Sequence, residues 1–154
     1  MVEIYLTREG RKKLIEELEK LQKRKPVIQD EVARAIEHGD LRENAEYYAA
    51  KETLGNLMRR IMELESKIMC AKIIDRQNIN TDKVSIGVTI EIKSENNENY
   101  KYTIVDSEEA DISVNKISVQ SPLIQGLLGH EEGETCEIKL PSGSTKIKIL
   151  KISK

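Results

Sequence analysis

Apolar residues in the N-terminal half of the chain recur in alternating steps of three and four along two stretches of similar length. The first stretch contains Leu14, Leu18, Leu21, Lys25, Ile28, Val32 and Ala35, and the second contains Tyr47, Ala50, Leu54, Leu57, Ile61, Leu64, Ile68 and Ala71. This spacing puts each set along one face of an α-helix, as a heptad seam in which Lys25 is the one charged member. Two matched seams joined by a short turn predict an antiparallel helical hairpin. With about 30 residues per helix, the hairpin would be about 45 Å long.

The first helix has a predicted start and one predicted irregularity. Thr7 suits the N-cap position, and Glu9 follows in the first turn, where the helix dipole favours a negative charge. Pro26 removes one backbone donor, but the heptad phase continues through it. We therefore expect one continuous helix that bends near Pro26, with a clean break as the lesser alternative.

Beyond residue 75 the apolar period changes from the helical spacing to strict alternation, which is typical of a strand with one buried face. Strands are predicted at "KVSIGVTIEIK" (83–93), "NYKYTIV" (99–105), "KISV" (116–119), "TCEIKL" (135–140) and "TKIKIL" (145–150). Pro122 suits the start of a short helix in "SPLIQGLLG" (121–129). The predicted fold class is α+β: a coiled-coil helical hairpin over residues 1–77, then a small, mainly antiparallel β domain over residues 78–154 with a short helix.

Composition limits the classes of function. The 25 basic and 27 acidic residues give a net charge of -2, which argues against a general nucleic-acid binder because such binding needs a positive field. No signal sequence and no apolar run of about 18 residues is present, so we expect a cytoplasmic protein without membrane contact. Cys70 and Cys136 are far apart and lack a metal-type spacing, so both are predicted to be buried rather than disulfide-bonded or zinc-bound.

The sequence offers no self-contained enzyme site. His38 and His130 are the two histidines, and neither belongs to a recognisable nucleophile motif. The chain also lacks a glycine-rich phosphate loop, and it contains no Trp or Phe to line a ligand pocket.

The bend between the two helices carries four acids at intervals of three residues: Glu37, Asp40, Glu43 and Glu46. One interpretation is local, with Gly39 ending the first helix and Asp40 capping the second through a capping box with Glu43. The other interpretation is that clustered carboxylates bind Mg²⁺, whose remaining positions are filled by water and phosphate oxygens from a partner. The two are compatible, because a capping carboxylate can bind an ion through its second oxygen.

Three segments resemble the bacterial Gre transcript cleavage factors. "GDLRENAEYYAAKE" (39–52) is similar to the signature at the tip of that family's N-terminal coiled coil. "LTREGRKKLIEELEKL" (6–21) and "ISVQSPLIQGLLGHEEGE" (117–134) are similar to its opening helix and its C-terminal domain. The resemblance covers essentially the whole chain and is closer to the GreA branch than to the more basic GreB branch.

The resemblance implies an accessory factor rather than an enzyme. In this family the C-terminal domain is FKBP-like and docks at the rim of the secondary channel of RNA polymerase, while the coiled coil reaches through the channel. The tip acids then help to hold a second Mg²⁺ and to orient water when backtracked polymerase cleaves its extruded RNA 3′ end. The chemistry stays with the polymerase, which supplies the first ion and the phosphodiester.

Matching positions assign roles to single residues. By resemblance, Asp40 and Glu43 are the ligands of the shared Mg²⁺, and Asn44 and Glu46 support them. Arg42 could contact RNA phosphate. Further candidate RNA contacts on the arm are Lys20, Lys23, Arg24 and Lys25, and candidate polymerase contacts are Ser121, Pro122 and Gln125.

Some positions depart from the family, and other functions stay open. Ile36, Tyr48 and His130 stand where a basic residue, His and Lys are frequent in relatives, and Ile36 could weaken RNA contact. The alternative function is a regulator that occupies the secondary channel without stimulating cleavage. A proline isomerase or chaperone role is disfavoured, because the chain lacks Phe and Trp. We expect a monomer when the protein is free.

Overall fold

The structure is a computed structural model, and it describes residues 4–37, 44–75, 77 and 79–154. The chain divides into two compact units. One is helical and comprises Arg11–Ala71. The other comprises Lys72–Lys154 together with the N-terminal segment that ends at Gly10. None of the helices in the described part of the chain is long and apolar enough to span a bilayer.

The helical unit is a two-helix hairpin built from α1 (Arg8–Glu37) and α2 (Ala45–Cys70). Arg60 of α2 binds Glu17 near the start of α1, with nitrogen–oxygen distances of 3.1 and 3.2 Å. At the opposite end, the side chain of Asn44 donates a hydrogen bond to the carbonyl of Ala35. Early residues of α1 therefore lie beside late residues of α2, which confirms the predicted antiparallel hairpin.

The predicted seams form the contact between the two helices. Ile28, Leu57 and Ile61 are buried against one another, and three leucines pack around them: Leu18, Leu21 and Leu54. α1 continues through Pro26 without a break, as predicted. Its first turn is capped as predicted, because the amide of Gly10 donates to Oγ1 of Thr7 at 3.0 Å.

The second unit contains a small parallel pair and one larger sheet. The pair is β1 (Tyr5–Leu6) with β2 (Lys72–Ile73). The larger sheet contains β3 (Thr89–Lys93), β4 (Asn99–Val105), β5 (Lys116–Ser118), β6 (Thr135–Leu140) and β7 (Gly143–Ser153). Its order is β5-β4-β3-β7-β6, and only β4 and β5 run parallel within it. The mainly antiparallel domain is confirmed.

A short helix, α3 (Pro122–Leu127), covers the apolar face of the sheet, as predicted. Ile124 and Leu127 of this helix are fully buried, as are Ile90, Ile104 and Ile149 of the sheet. α3 therefore contributes to the core of the C-terminal unit on one side and meets solvent on the other.

Two details of this unit differ from prediction. The strand predicted at 83–93 is shorter and begins at Thr89, because Gly87 has a φ of +97° and turns the chain out of the extended conformation. Val84 bonds through its backbone to Gly129 and His130 instead of to a neighbouring strand. Cys136 is buried, but Cys70 is exposed at the end of α2, so the prediction of burial was wrong for Cys70.

Backbone pairing explains the limits of the two compact units, and the predicted division between residues 77 and 78 stays a prediction. The structure separates the units between Ala71 and Lys72 and assigns the first strand to the C-terminal unit. Pairing explains this, since Tyr5 lies opposite Lys72, and the amide and hydroxyl of Thr7 both donate to the carboxylate of Glu109.

Candidate functional site

Asn44 fixes the start of α2 next to the bend. Its backbone is extended (φ -84°, ψ 92°), and its Oδ1 accepts the amide hydrogen of Tyr47 at 3.1 Å, so Asn44 is the N-cap. Its amide nitrogen donates to the carbonyl of Ala35, in the last turn of α1. One side chain therefore satisfies a free amide of α2 and a free carbonyl of α1.

The predicted magnesium ligands Asp40 and Glu43 lie outside the described residues, and so does Arg42. The prediction that Asp40 caps α2 and that Glu43 completes a capping box was wrong, because the cap is Asn44. Their assignment as Mg²⁺ ligands stays a prediction.

Glu46 lies in the first turn of α2 and is exposed. It lines a groove of about 470 Å³ between the two helices, with Glu31, Arg34, Ala35, Ala49, Ala50 and Thr53. Among the described residues of this lining, Arg34 is the one cation, and it pairs with Asp30 at 2.8 Å along α1. Small alanine side chains leave the groove open, so the carboxylate of Glu46 is accessible one turn from the bend.

The four basic candidates on α1 fall into two groups. Lys20, Lys23 and Arg24 are exposed, and at about 100° per residue they fall within an arc of about 100° on one side of the helix. Lys25 is half-buried and belongs to the seam that faces α2. None of the four forms an ion pair with another described residue. The first three thus form a surface suited to phosphate, and Lys25 is apart from it.

The predicted docking residues lie at the start and on the outer side of α3. Pro122 and Gln125 are exposed, whereas Ser121 is half-buried. The side chain of Gln125 donates to the carbonyl of Val119 at 2.7 Å, which holds this face of the helix against the end of β5. The structure places the three residues together on one ridge at the start of α3, of which Pro122 and Gln125 are the exposed part.

Sequence reasoning missed a cluster in the turn between α3 and β6. Nδ1 of His130 lies 2.6 Å from Oε2 of Glu134, and these groups and the thiol of Cys136 lie within 4.8 Å of one another. The hydrogen bond from His130 lowers the pKa of Glu134. Burial raises the pKa of the Cys136 thiol, and the charge of Glu134 adds to this effect. The spacing of His, Glu and Cys in "HEEGETC" (130–136) was the available signal.

A helical hairpin with a polar bend, followed by a mainly antiparallel sheet with one covering helix, defines a two-unit coiled-coil α+β protein. Residues 4–73 match the family described as transcription elongation factor, N-terminal (GreA_GreB_N). Residues 79–154 match transcription elongation factor, GreA/GreB, C-term. The chain belongs to the GreA/GreB family of transcription elongation factors, and the predicted resemblance is confirmed.

Individual relatives are similar in sequence to this chain over nearly their whole length. Transcription elongation factor GreA of Caldanaerobacter subterraneus subsp. tengcongensis is 44% identical over 151 residues, which are 97% of this chain and 96% of the relative. GreA of Bartonella tribocorum is 40% identical over 154 residues, 99% of this chain and 98% of the relative. Among solved structures, GreA factor homolog 1 of Thermus thermophilus is 24% identical with a TM-score of 0.47, over 99% of this chain and 100% of the other.

Proposed function

We propose that this protein binds bacterial RNA polymerase and stimulates the polymerase's own cleavage of the RNA 3′ end in backtracked complexes. Identity of 44% to a GreA factor over 97% of the chain supports the partner and its cytoplasmic setting. The protein acts as an accessory factor, and the cleaved bond, the RNA and the first metal ion belong to the polymerase complex. It acts as a monomer.

The observation that carries the role of the tip acids is that Asn44 caps α2. Because Asn44 supplies the capping oxygen, the start of α2 does not depend on a carboxylate at position 40 as its N-cap. Carboxylates are the protein ligands that Mg²⁺ prefers, and one or two of them with water and phosphate oxygens complete its coordination. The donor set at positions 40 and 43 thus fits the ion.

Each neighbouring residue supports this pair in a different way. Asn44 joins the last turn of α1 to the first turn of α2 through two side-chain hydrogen bonds. Glu46 adds an accessible negative charge one turn away. An Mg²⁺ ion held by Asp40 and Glu43 would acidify a bound water molecule and supply positive charge to the reacting phosphate group.

The remaining surfaces guide and dock the protein. Lys20, Lys23 and Arg24 are unpaired among described residues and attract RNA phosphate toward α1, as expected for local electrostatic steering. The ridge of Ser121, Pro122 and Gln125 contacts polymerase protein, and their backbone is fixed by the buried Ile124 and Leu127.

The test is RNA cleavage by purified, backtracked RNA polymerase complexes with Mg²⁺, with polymerase binding measured in parallel. Native protein should accelerate cleavage. The variant Asp40→Asn, Glu43→Gln should bind equally well and lose at least about tenfold of the acceleration, because it lacks charged ligands. The matched control Glu37→Gln, Glu52→Gln removes two acids outside the pair and should behave as native. A double variant, Asn44→Ala with Glu46→Ala, should be impaired in cleavage with polymerase binding retained.

Equal activity of native protein and the Asp40, Glu43 variant would refute the metal role. If neither accelerates cleavage while both bind polymerase, the protein is instead a regulator that occupies the secondary channel. Absence of polymerase binding by native protein would refute the whole proposal.

A further inference from the structure

A turn in the C-terminal unit gathers three metal-ligating side chains that the proposed function does not use. His130, Glu134 and Cys136 present an imidazole nitrogen, a carboxylate oxygen and a sulfur atom within 4.8 Å of one another. We propose that these three side chains bind a borderline divalent metal ion, best matched by Zn²⁺, with a fourth position open to water. The spacing of the two cysteines in the sequence does not indicate this site, because the site contains only one cysteine. Its other proposed ligands are His130 and Glu134.

The local backbone explains why the three side chains converge. Glu134 immediately precedes β6, and Cys136 is the second residue of this strand. The carbonyl of Glu134 already bonds to Ile149 of β7, so the alternation of the strand puts the two side chains on the same face. The preceding turn is closed by the amide of Glu134, which donates to the carbonyl of Glu131 at 3.2 Å, and Gly133 has a φ of +89°. This turn folds His130 back over the other two residues.

The backbone of the ligands is held by neighbouring segments. The carbonyl of His130 accepts the amide hydrogen of Val84 at 2.9 Å, and the carbonyl of Glu134 accepts that of Ile149 at 2.9 Å. Cys136 itself is part of the ladder between β6 and β7. The cluster therefore rests on regular structure, which limits the reorganisation that ion binding requires.

The observed separations are close to those of a metal site. With Zn–N near 2.0 Å and Zn–S near 2.3 Å, neighbouring ligand atoms of a tetrahedral site lie roughly 3.3–3.6 Å apart. The nitrogen of His130 and the oxygen of Glu134 are 2.6 Å apart, so their hydrogen bond would open by less than about 1 Å. The sulfur, no more than 4.8 Å from either, would approach by about 1 Å.

The ligand chemistry selects the kind of ion. A thiolate, an imidazole and a carboxylate suit Zn²⁺ or Co²⁺, whereas Mg²⁺ and Ca²⁺ prefer oxygen ligands alone. The side chains of His130 and Glu134 are 44% and 45% exposed, so an ion can enter and keep a water ligand. Cys136 is only 6% exposed and lies on the protein side of the site. On binding, the thiol proton is released to solvent as the metal–sulfur bond forms.

The experiment is titration of the untagged, reduced and metal-free full-length protein with ZnCl₂ by calorimetry and with CoCl₂ by absorption. We expect one ion per chain and a sulfur-to-cobalt charge-transfer band. Cys136→Ser should abolish the band, and His130→Gln or Glu134→Gln should each weaken binding by at least about tenfold. Because the last two side chains are half-exposed, these variants stay informative even where Cys136→Ser fails to fold.

Two controls separate this site from others in the chain. Cys70→Ser removes the exposed thiol and should leave the cobalt band and zinc affinity unchanged. Asp40→Asn with Glu43→Gln removes the predicted magnesium ligands and should also bind zinc as native protein does. The proposal is overturned if native protein shows no saturable binding, if the band survives in Cys136→Ser, or if it is lost in Cys70→Ser.

Discussion

Alanine in place of Gly10, in the first turn of α1, is predicted to destabilise the protein for a reason specific to this fold. A Cβ added at Gly10 would overlap the carboxylate of Glu109 and lie 2.7 Å from its Cγ. That carboxylate accepts hydrogen bonds from the hydroxyl and the amide of Thr7, the amide at 3.1 Å. The hydroxyl of Thr7 in turn accepts the amide hydrogen of Gly10. Gly10→Ala should therefore displace Glu109 and break its bonds to the helix cap.

The magnitude follows from two opposing contributions. Alanine should stabilise a helix by about 1 kcal/mol over glycine. Two bonds to a charged acceptor contribute about 1.5–3 kcal/mol each when buried, which we reduce to about 2 kcal/mol in total because Thr7 and Glu109 are half-exposed. Gly10→Ala should thus destabilise the protein by about 1 kcal/mol and lower Tm by about 3 °C. With Glu109→Ala already present, the same change should stabilise by up to about 1 kcal/mol.

The assay is thermal and urea unfolding of native protein, both single variants and the double variant, followed by circular dichroism. The matched control is Gly55→Ala in α2, where an added Cβ meets nothing within 4 Å, so it should stabilise by about 1 kcal/mol. The reasoning is refuted if Gly10→Ala stabilises as Gly55→Ala does. It is also refuted if Gly10→Ala changes the free energy of unfolding by the same amount with and without Glu109, because the double-mutant cycle would then show no coupling.

Three further predictions concern the cap, the core and pH. Asn44→Ala should lower stability by about 1 kcal/mol in urea unfolding, since the amide of Tyr47 loses its partner, and no loss would contradict the cap. Ile104→Ala should cost about 2–5 kcal/mol, because Ile104 is 0% exposed, whereas Ile112→Ala at 68% exposure should change stability by less than about 0.5 kcal/mol. The hydrogen bond from His130 lowers the pKa of Glu134 below its ordinary value of 4.5. This interaction therefore stabilises the folded protein above pH 4.5, and the stabilisation is lost as the pH falls through the lowered pKa. Tm of native protein should therefore fall toward that of Glu134→Gln in acid, and a constant difference across this range would contradict the linkage.

Local pattern was enough to predict the helical hairpin. The two seams are long, and a heptad repeat reports a single packed face whether or not its partner is known. The continuity of α1 through Pro26 followed from the unbroken phase on either side of it. The strands of the C-terminal unit were predictable for the same reason, since alternation reports one buried face.

Contacts between distant residues decided the features that local pattern missed. Val84 and Val88 are both buried, as the alternating pattern predicted. The backbone of Val84, however, bonds to the turn after α3 and not to a strand. The first strand belongs to the C-terminal unit because Tyr5 pairs with Lys72. Neither pairing can be recognised from a short window of sequence.

The start of α2 shows how such a contact changes the interpretation of the site. Asp40 and Asn44 are both good capping residues, and spacing from Glu43 favoured Asp40. In the structure the choice is made across the hairpin, because the amide of Asn44 also donates to the carbonyl of Ala35, a second bond that a carboxylate cannot make. With the cap assigned to Asn44, the capping interpretation of Asp40 is excluded for α2, and the interpretation of Asp40 and Glu43 as magnesium ligands stays the prediction that the RNA cleavage assay tests.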